Sequence, residues 1–269
     1  MKRVPLELGP VESRLLAWAQ MRGVERTTAG SVARELRLNL EQARQLMKRL
    51  GRKGLVVPVQ RGIWLLPPKL PPGGRWTVPS EVILRHLFEA KGGDYQEAGL
   101  GALQYRGLTD QVANVTAVYN TLFTGRRTIG GLPFQFIKVA PGRLGMLDQK
   151  ALPRRRVGSL PRVIMDAVYD AARFGTLPTA YRWIRERKDV PRFLDELATC
   201  AVAHGNAGTC RRLGAVMELL EAAPVARRKL QRALPAVRTY IPLVPGRGTK
   251  GRTMKKWGIV VNDRRWLDE

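Results

Sequence analysis

Apolar residues fall at helical spacing at Val11, Leu15, Leu16, Trp18 and Ala19, and Gly23 interrupts the run, which predicts a first helix. Thr28 is placed to cap a second, shorter helix carrying Val32, Ala33 and Leu36, with Arg37 and Leu38 as a tight turn. Asn39 followed three residues later by Gln42 has the spacing of a capping box and opens a third helix. Its apolar positions Leu40, Ala43, Leu46, Met47 and Leu50 gather on one side, while Glu41, Arg44, Gln45, Lys48, Arg49 and Arg52 point elsewhere. Gly51 lowers helix propensity by about 1 kcal/mol relative to Ala, and Gly54 closes the segment. Two short apolar runs follow, Leu55-Val56-Val57 and Ile63-Trp64-Leu65-Leu66. The intervening Pro58-Val59-Gln60-Arg61-Gly62 makes them a hairpin with a basic tip.

The next stretch, Leu66-Pro67-Pro68-Lys69-Leu70-Pro71-Pro72-Gly73-Gly74, neither continues a helix nor pairs fully as a central strand, because its prolines lack N–H donors. This predicts a winged helix-turn-helix over 1–66, a linker over 67–75 and a second domain over 76–269. In the second domain a helix runs through Val82, Ile83, Leu87 and Phe88 to Gly92-Gly93, and another spans Glu97 to Tyr105. Strand patterns cover Val115 to Asn120, Leu122 to Thr128 and Phe134 to Val139, the last two joined through Gly130-Gly131. Leu160 to about Ala233 is mostly helical, with closing strands at Tyr240 to Leu243 and Trp257 to Val261. The fold class expected is α+β.

Charge changes this picture from a fold to a function. Forty-seven Lys and Arg oppose twenty-two Asp and Glu, a formal net charge of +25 that favours a polyanionic partner. The excess is uneven: fourteen basic against five acidic residues in 1–70, eight against six in 71–148, and twenty-five against eleven in 149–269. Only Cys200 and Cys210 are present, which leaves no disulfide framework and points to a reducing compartment. No apolar signal core follows the N-terminus and no run of about 18 apolar residues occurs, so a cytoplasmic location without membrane contact is expected.

Helix, short helix, turn, capped basic helix and hairpin is the order of a winged helix-turn-helix, in which the third helix enters the major groove of a duplex. Arg pairs bidentately with guanine and Gln with adenine. Groove contacts are therefore expected from Gln42, Arg44, Gln45, Lys48 and Arg49, with Ser31, Arg52 and Arg61 on phosphates or the groove beside the wing. Glu41 is the anomaly on this surface, because a carboxylate repels phosphate unless a cytosine amine or a neighbouring cation engages it.

The chain resembles the AbiEi family of antitoxins from type IV toxin–antitoxin systems. The residues that carry the resemblance are Arg61-Gly62-Ile63-Trp64, Gly101-Ala102-Leu103, Tyr105-Arg106-Gly107-Leu108-Thr109-Asp110-Gln111 and Val118-Tyr119-Asn120-Thr121. Further along they are Arg126-Arg127-Thr128-Ile129-Gly130-Gly131, Phe134-Gln135-Phe136-Ile137-Lys138-Val139, Arg211-Arg212-Leu213-Gly214 and Trp257-Gly258-Ile259-Val260-Val261-Asn262. The resemblance implies a winged domain that represses its own operon at an inverted repeat. It also implies a second domain that antagonises a nucleotidyltransferase-like toxin, as in phage abortive infection.

A second basic stretch lies outside these motifs. No acidic residue occurs between Glu221 and Asp263, where Arg227, Arg228, Lys229, Arg232, Arg238, Arg247, Lys250, Arg252, Lys255 and Lys256 are found. It reads either as a phosphate-binding patch or as a solvated loop.

Signs of catalysis are few, and neither an enzymatic activity nor a cofactor is expected. Residues 246–251 match G-x-G-x-x-G without a surrounding βαβ unit, and Cys200, His204 and Cys210 lack a fourth zinc ligand. His86 and His204 are the only histidines. Asp166 and Asp170, at i and i+4, are the pair on which a magnesium-dependent nuclease would have to rest, with Arg162 and Arg173 as competing salt-bridge partners. A transcriptional regulator whose second domain senses a small ligand is a further alternative.

Overall fold

The computed structural model describes residues 7–70, 76–236, 238–248 and 250–267. The fold is α+β and divides into two compact units.

The first unit contains α1 (Pro10–Met21), β1 (Arg26–Thr27), α2 (Ala29–Leu36), α3 (Leu40–Arg52), β2 (Val57–Gln60), β3 (Ile63–Leu65) and α4 (Ser80–Lys91). The three expected helices and the hairpin occur in the expected order. The Thr28 hydroxyl accepts from the Ser31 N–H, and Asn39 and Gln42 form the reciprocal capping box. Arg37 adopts φ 55° at the turn between α2 and α3. Leu15, Leu16, Val32, Ala43, Leu46, Met47 and Leu50 form the core with Leu55, Val56 and Leu66.

The structure corrects three expectations in this unit. Pro58 lies within β2, opposite Trp64, so the tip contracts to Arg61-Gly62; β2 is an edge strand, where a missing N–H is tolerated. β1, which two residues are too short to announce by periodicity, completes the sheet in the order β1-β3-β2. Leu40, expected on the buried side of α3, is 45% exposed.

The domain boundary also differs from the expected one. The first unit runs to Gly92 and takes in Arg127–Pro133, so α4 belongs with the N-terminal helices and hairpin and not with the second domain. Helix α4 packs on β2 and buries Ile83, Leu84, Leu87 and Phe88. Arg85 pairs with Glu25 at 3.0 Å and Glu89 with Arg26 at 3.7 Å, which fastens α4 to the start of β1. Residues 71–75 of the expected linker lie outside the described residues.

The second unit opens with β4 (Tyr95–Ala98) and α5 (Gly99–Tyr105), so the helix expected from Glu97 is preceded by a fully buried strand. β5 (Thr116–Asn120), β6 (Gly125–Ile129) and β7 (Leu132–Lys138) complete a sheet of order β4-β5-β7-β6, in which β5 and β7 run parallel and from which Arg127–Pro133, the end of β6 and the start of β7, is grouped with the first unit. Six helices follow: α6 (Leu160–Tyr169), α7 (Ala171–Phe174), α8 (Leu177–Arg185), α9 (Phe193–His204), α10 (Ala207–Leu219) and α11 (Pro224–Arg232). A small sheet of β8 (Ile241–Pro242), β9 (Arg252–Met254) and β10 (Ile259–Val261) closes the chain in the order β8-β10-β9.

Several motif residues meet in this unit. Gly214 of α10 lies against Trp257 so closely that a Cβ there would overlap the indole. Arg211 donates to the carbonyls of Trp257, Gly258 and Thr239, and the Trp257 indole N–H donates to Glu218. Arg106 donates to the Gly158 carbonyl and pairs with Asp148 at 2.7 Å. These residues hold the fold of this unit together.

A candidate nucleic-acid interface

Helix α3 presents two unlike sides because its residues advance 100° each. Ala43, Leu46, Met47 and Leu50 are buried, while Glu41, Gln42, Arg44, Gln45, Lys48, Arg49 and Arg52 are exposed. Ser31 and the wing-tip Arg61 are exposed as well. The eight expected contact residues are thus all at the surface of one unit, but they differ in what already holds them.

Ser31 and Gln42 serve helix caps: the Ser31 hydroxyl bonds Thr28 Oγ1 at 3.1 Å, and Gln42 Oε1 accepts from the Asn39 N–H at 3.0 Å. Arg49 is tied to α1 through Glu12, whose carboxylate accepts from Arg49 Nε at 2.9 Å and Lys53 Nζ at 2.6 Å. Burial alone would raise the Glu12 pKa. Hydrogen bonds from Lys53, the Gly9 N–H and Arg49 outweigh it and hold the carboxyl below its ordinary value. Sequence reading missed this cluster, although Glu12 stands three residues after Gly9 at the start of a helix, where a back-reaching carboxylate is expected.

Glu41 engages two further candidates. Gln45 Nε2 donates to Glu41 Oε1 at 2.9 Å, and Arg44 Nη1 lies 3.7 Å from Glu41 Oε2. Lys48, Arg52 and Arg61 are exposed and make no ion pair or side-chain hydrogen bond among the described residues. Lys48 and Arg52 share a stripe of the helix with Glu41 and Gln45. A shallow groove of about 380 Å³ runs beside this stripe, lined by Val11, Leu38, Asn39, Gln42 and Leu46.

The second basic stretch is more divided than its sequence suggests. The fold brings Glu218 within 3.8 Å of Arg227 and 3.9 Å of Lys256, and Asp263 within 2.5 Å of Arg247. Lys229 donates to Thr199 Oγ1. Arg228, Arg232, Arg238, Lys250, Arg252 and Lys255 are exposed without an ion pair among the described residues, distributed over α11, the segment after it and the β9 region. Residue 249 of the glycine-rich segment lies outside the described residues.

The residues on which other chemistry would rest are engaged elsewhere. Asp166, 1% exposed, accepts from Arg162 at 3.0 Å and from Arg143 at 2.5 Å, while Asp170 accepts from Tyr119 and Arg173. Burial pushes the thiols of Cys200 and Cys210 up to about 12 and about 11. His204 Nδ1 is bonded to the Gly142 carbonyl at 2.8 Å. No group of three metal-ligating side chains occurs among the described residues, and no described helix is long and apolar enough to cross a membrane.

The first unit thus sets a capped basic helix, α3, directly before a short two-stranded hairpin. No protein-family model matches the chain, and no curated protein matches it. Among solved structures, the chain is similar to the crystal structure of the RV2827C protein from Mycobacterium tuberculosis. The TM-score is 0.64 at 14% identity, over 95% of this chain and 92% of that one. That likeness is one of fold.

Proposed function

We propose that the protein is a non-enzymatic, cytoplasmic DNA-binding autorepressor that also acts as the antitoxin of a nucleotidyltransferase-like toxin. The observation that supports DNA binding is the exposed stripe of α3, where Lys48 and Arg52, together with Arg61 at the wing tip, have no carboxylate partner among the described residues. Cations left unpaired on such a helix gain most from phosphate, because releasing the counterions of DNA drives association. The antitoxin half rests on the motifs shared with the AbiEi family, and the partner surface lies in the second unit on that reading.

Two measurements test the halves separately. The protein should bind an inverted repeat in its own promoter saturably, with affinity falling steeply as salt rises. Equal affinity for promoter and unrelated duplex would remove the repressor reading. Co-expression with a nucleotidyltransferase-like product of the adjacent gene should restore growth, and unrelieved toxicity would remove the antitoxin reading. A second reading, a ligand-responsive regulator, is favoured by an open groove of about 630 Å³ in the second unit, lined by Val112, Val115 and Ala117 together with the polar Asn114, Arg126, Gln135 and Arg173. It requires a small ligand that releases DNA.

A further inference from the structure

Recognition helices meet base edges chiefly through their N-terminal residues, with later turns passing toward the backbone. In α3 the side opposite the buried Ala43, Leu46, Met47 and Leu50 is centred on Glu41, Gln45, Lys48 and Arg52. Glu41 stands in the first turn of that side and Gln45 in the second, whereas Leu40 and Gln42 lie in the first turn on its two opposite flanks, Gln42 with its carbonyl oxygen committed to the Asn39 N–H. Leu40 is the only one of the helix's leucines left exposed, at 45%.

We infer that base selection is carried by Leu40, Glu41 and Gln45: Leu40 packs on a thymine methyl, and Gln45, its amide oriented by Glu41, reads an adenine. This deepens the DNA-binding reading and rests on it. The chemistry of each group fits. An apolar side chain in the major groove gains by covering the thymine C5 methyl. Adenine needs one donor for N7 and one acceptor for N6. Gln45 gives one Nε2 hydrogen to Glu41 at 2.9 Å, which leaves its second hydrogen and its Oε1 for the base. Glu41 is then a positioning residue, and its charge, offset in part by Arg44 at 3.7 Å, lowers affinity for phosphate in general. A carboxylate on this surface therefore sacrifices non-specific binding for a fixed amide.

The test starts by selecting sites from a randomised duplex library with the full-length protein, then measuring binding to the best site. Replacing its thymines by deoxyuridine should weaken wild type about fourfold, the worth of one buried methyl. Leu40→Ala should bind thymine and uracil sites alike. Replacing adenine by 7-deazaadenine should weaken wild type roughly tenfold and leave Gln45→Ala unaffected. Glu41→Gln should give effects of opposite sign, with tighter binding to unrelated duplex and poorer discrimination at the adenine. General damage to the helix would lower both.

The inference is overturned if wild type selects a site yet is indifferent to both modified bases, an outcome that needs no protein variant to fold. It is also overturned if Leu40→Ala and Gln45→Ala keep the wild-type site and the wild-type response. If wild type enriches no sequence and binds no duplex, the underlying DNA-binding reading falls first and takes this inference with it.

Discussion

The stripe of α3 and the interior of the second unit both carry cationic side chains, and they use them in opposite ways. Arg162 is fully buried, and with Arg143 at 7% exposure it closes on Asp166 from two sides, its remaining donors going to the carbonyls of Arg143 and Gly145. Arg143 also lies over the rings of Tyr169, at 4.0 Å, and Tyr119. On α3, Lys48 and Arg52 have no such company. What separates a structural cation from one available to a polyanion is the presence of a carboxylate or carbonyl within reach, which composition does not report.

The largest loss is expected from Asp166→Ala, which leaves two buried guanidinium groups without their anion. Chemical denaturation should show a loss of about 3–5 kcal/mol, and an unchanged midpoint would mean that the cluster holds nothing. Glu12→Gln tests an intermediate case, because Glu12 is buried but its cations are partly exposed. It should cost about 1–3 kcal/mol in the same assay while strengthening binding to unrelated duplex, since Arg49 and Lys53 are released.

Lys48→Ala combined with Arg52→Ala should leave stability within about 0.5 kcal/mol of wild type. The same variant should bind every duplex more weakly, with the salt slope reduced by roughly two. A slope that does not move would place the phosphate contacts elsewhere, with Arg228, Arg232 and Lys255 of the second unit the next residues to replace. Deleting α11 outright is a poorer test, because Ala226 and Leu230 are part of the core.

The smallest expected effect is on pH dependence. His86, 7% exposed, has its pKa lowered first by burial and then by Arg85 and Arg26, against the opposing pull of Glu89 and Glu25 at 3.4 Å each. His204 is lowered too, by burial and by Arg162 and Arg143, despite its bond to Gly142 and the charge of Asp166. A histidine whose folded pKa lies below its unfolded value of 6.5 leaves the unfolded chain holding more protons. Stability should therefore fall as pH drops through 6.5, stay level between 6.5 and about 8, below the range where the buried thiols titrate, and lose part of its acid slope in His86→Gln. A melting temperature that rises on acidification would contradict this sign.

Much of the first unit was legible along the chain because its devices are local. The Thr28 cap, the Asn39–Gln42 box and the spacing of Ala43, Leu46, Met47 and Leu50 each concern residues within four of one another. The errors occurred where pairing is long-range. β1 exists only because Arg26 and Thr27 meet Leu65 and Trp64, and α4 belongs to the first unit because Arg85 and Glu89 find Glu25 and Arg26. The proline-rich stretch marks a break in regular structure, but a break in regular structure is not a break in packing.

The candidate site divides the same way. Its residue types, its position on a capped basic helix and its exposure follow from local pattern. Which of those residues are unoccupied does not, since Arg49 is claimed by Glu12, thirty-seven positions away. Sequence by itself determined the α+β class, the three-helix start and the excess of positive charge, because propensity, capping and composition act over a few residues or over the whole chain at once. Only the tertiary structure decided that Leu40 is exposed, that Glu218 and Asp263 reach into the second basic stretch, and that Asp166 belongs to two arginines. Each of those outcomes is set by distance in space between residues far apart along the chain, or by what a neighbouring element leaves uncovered.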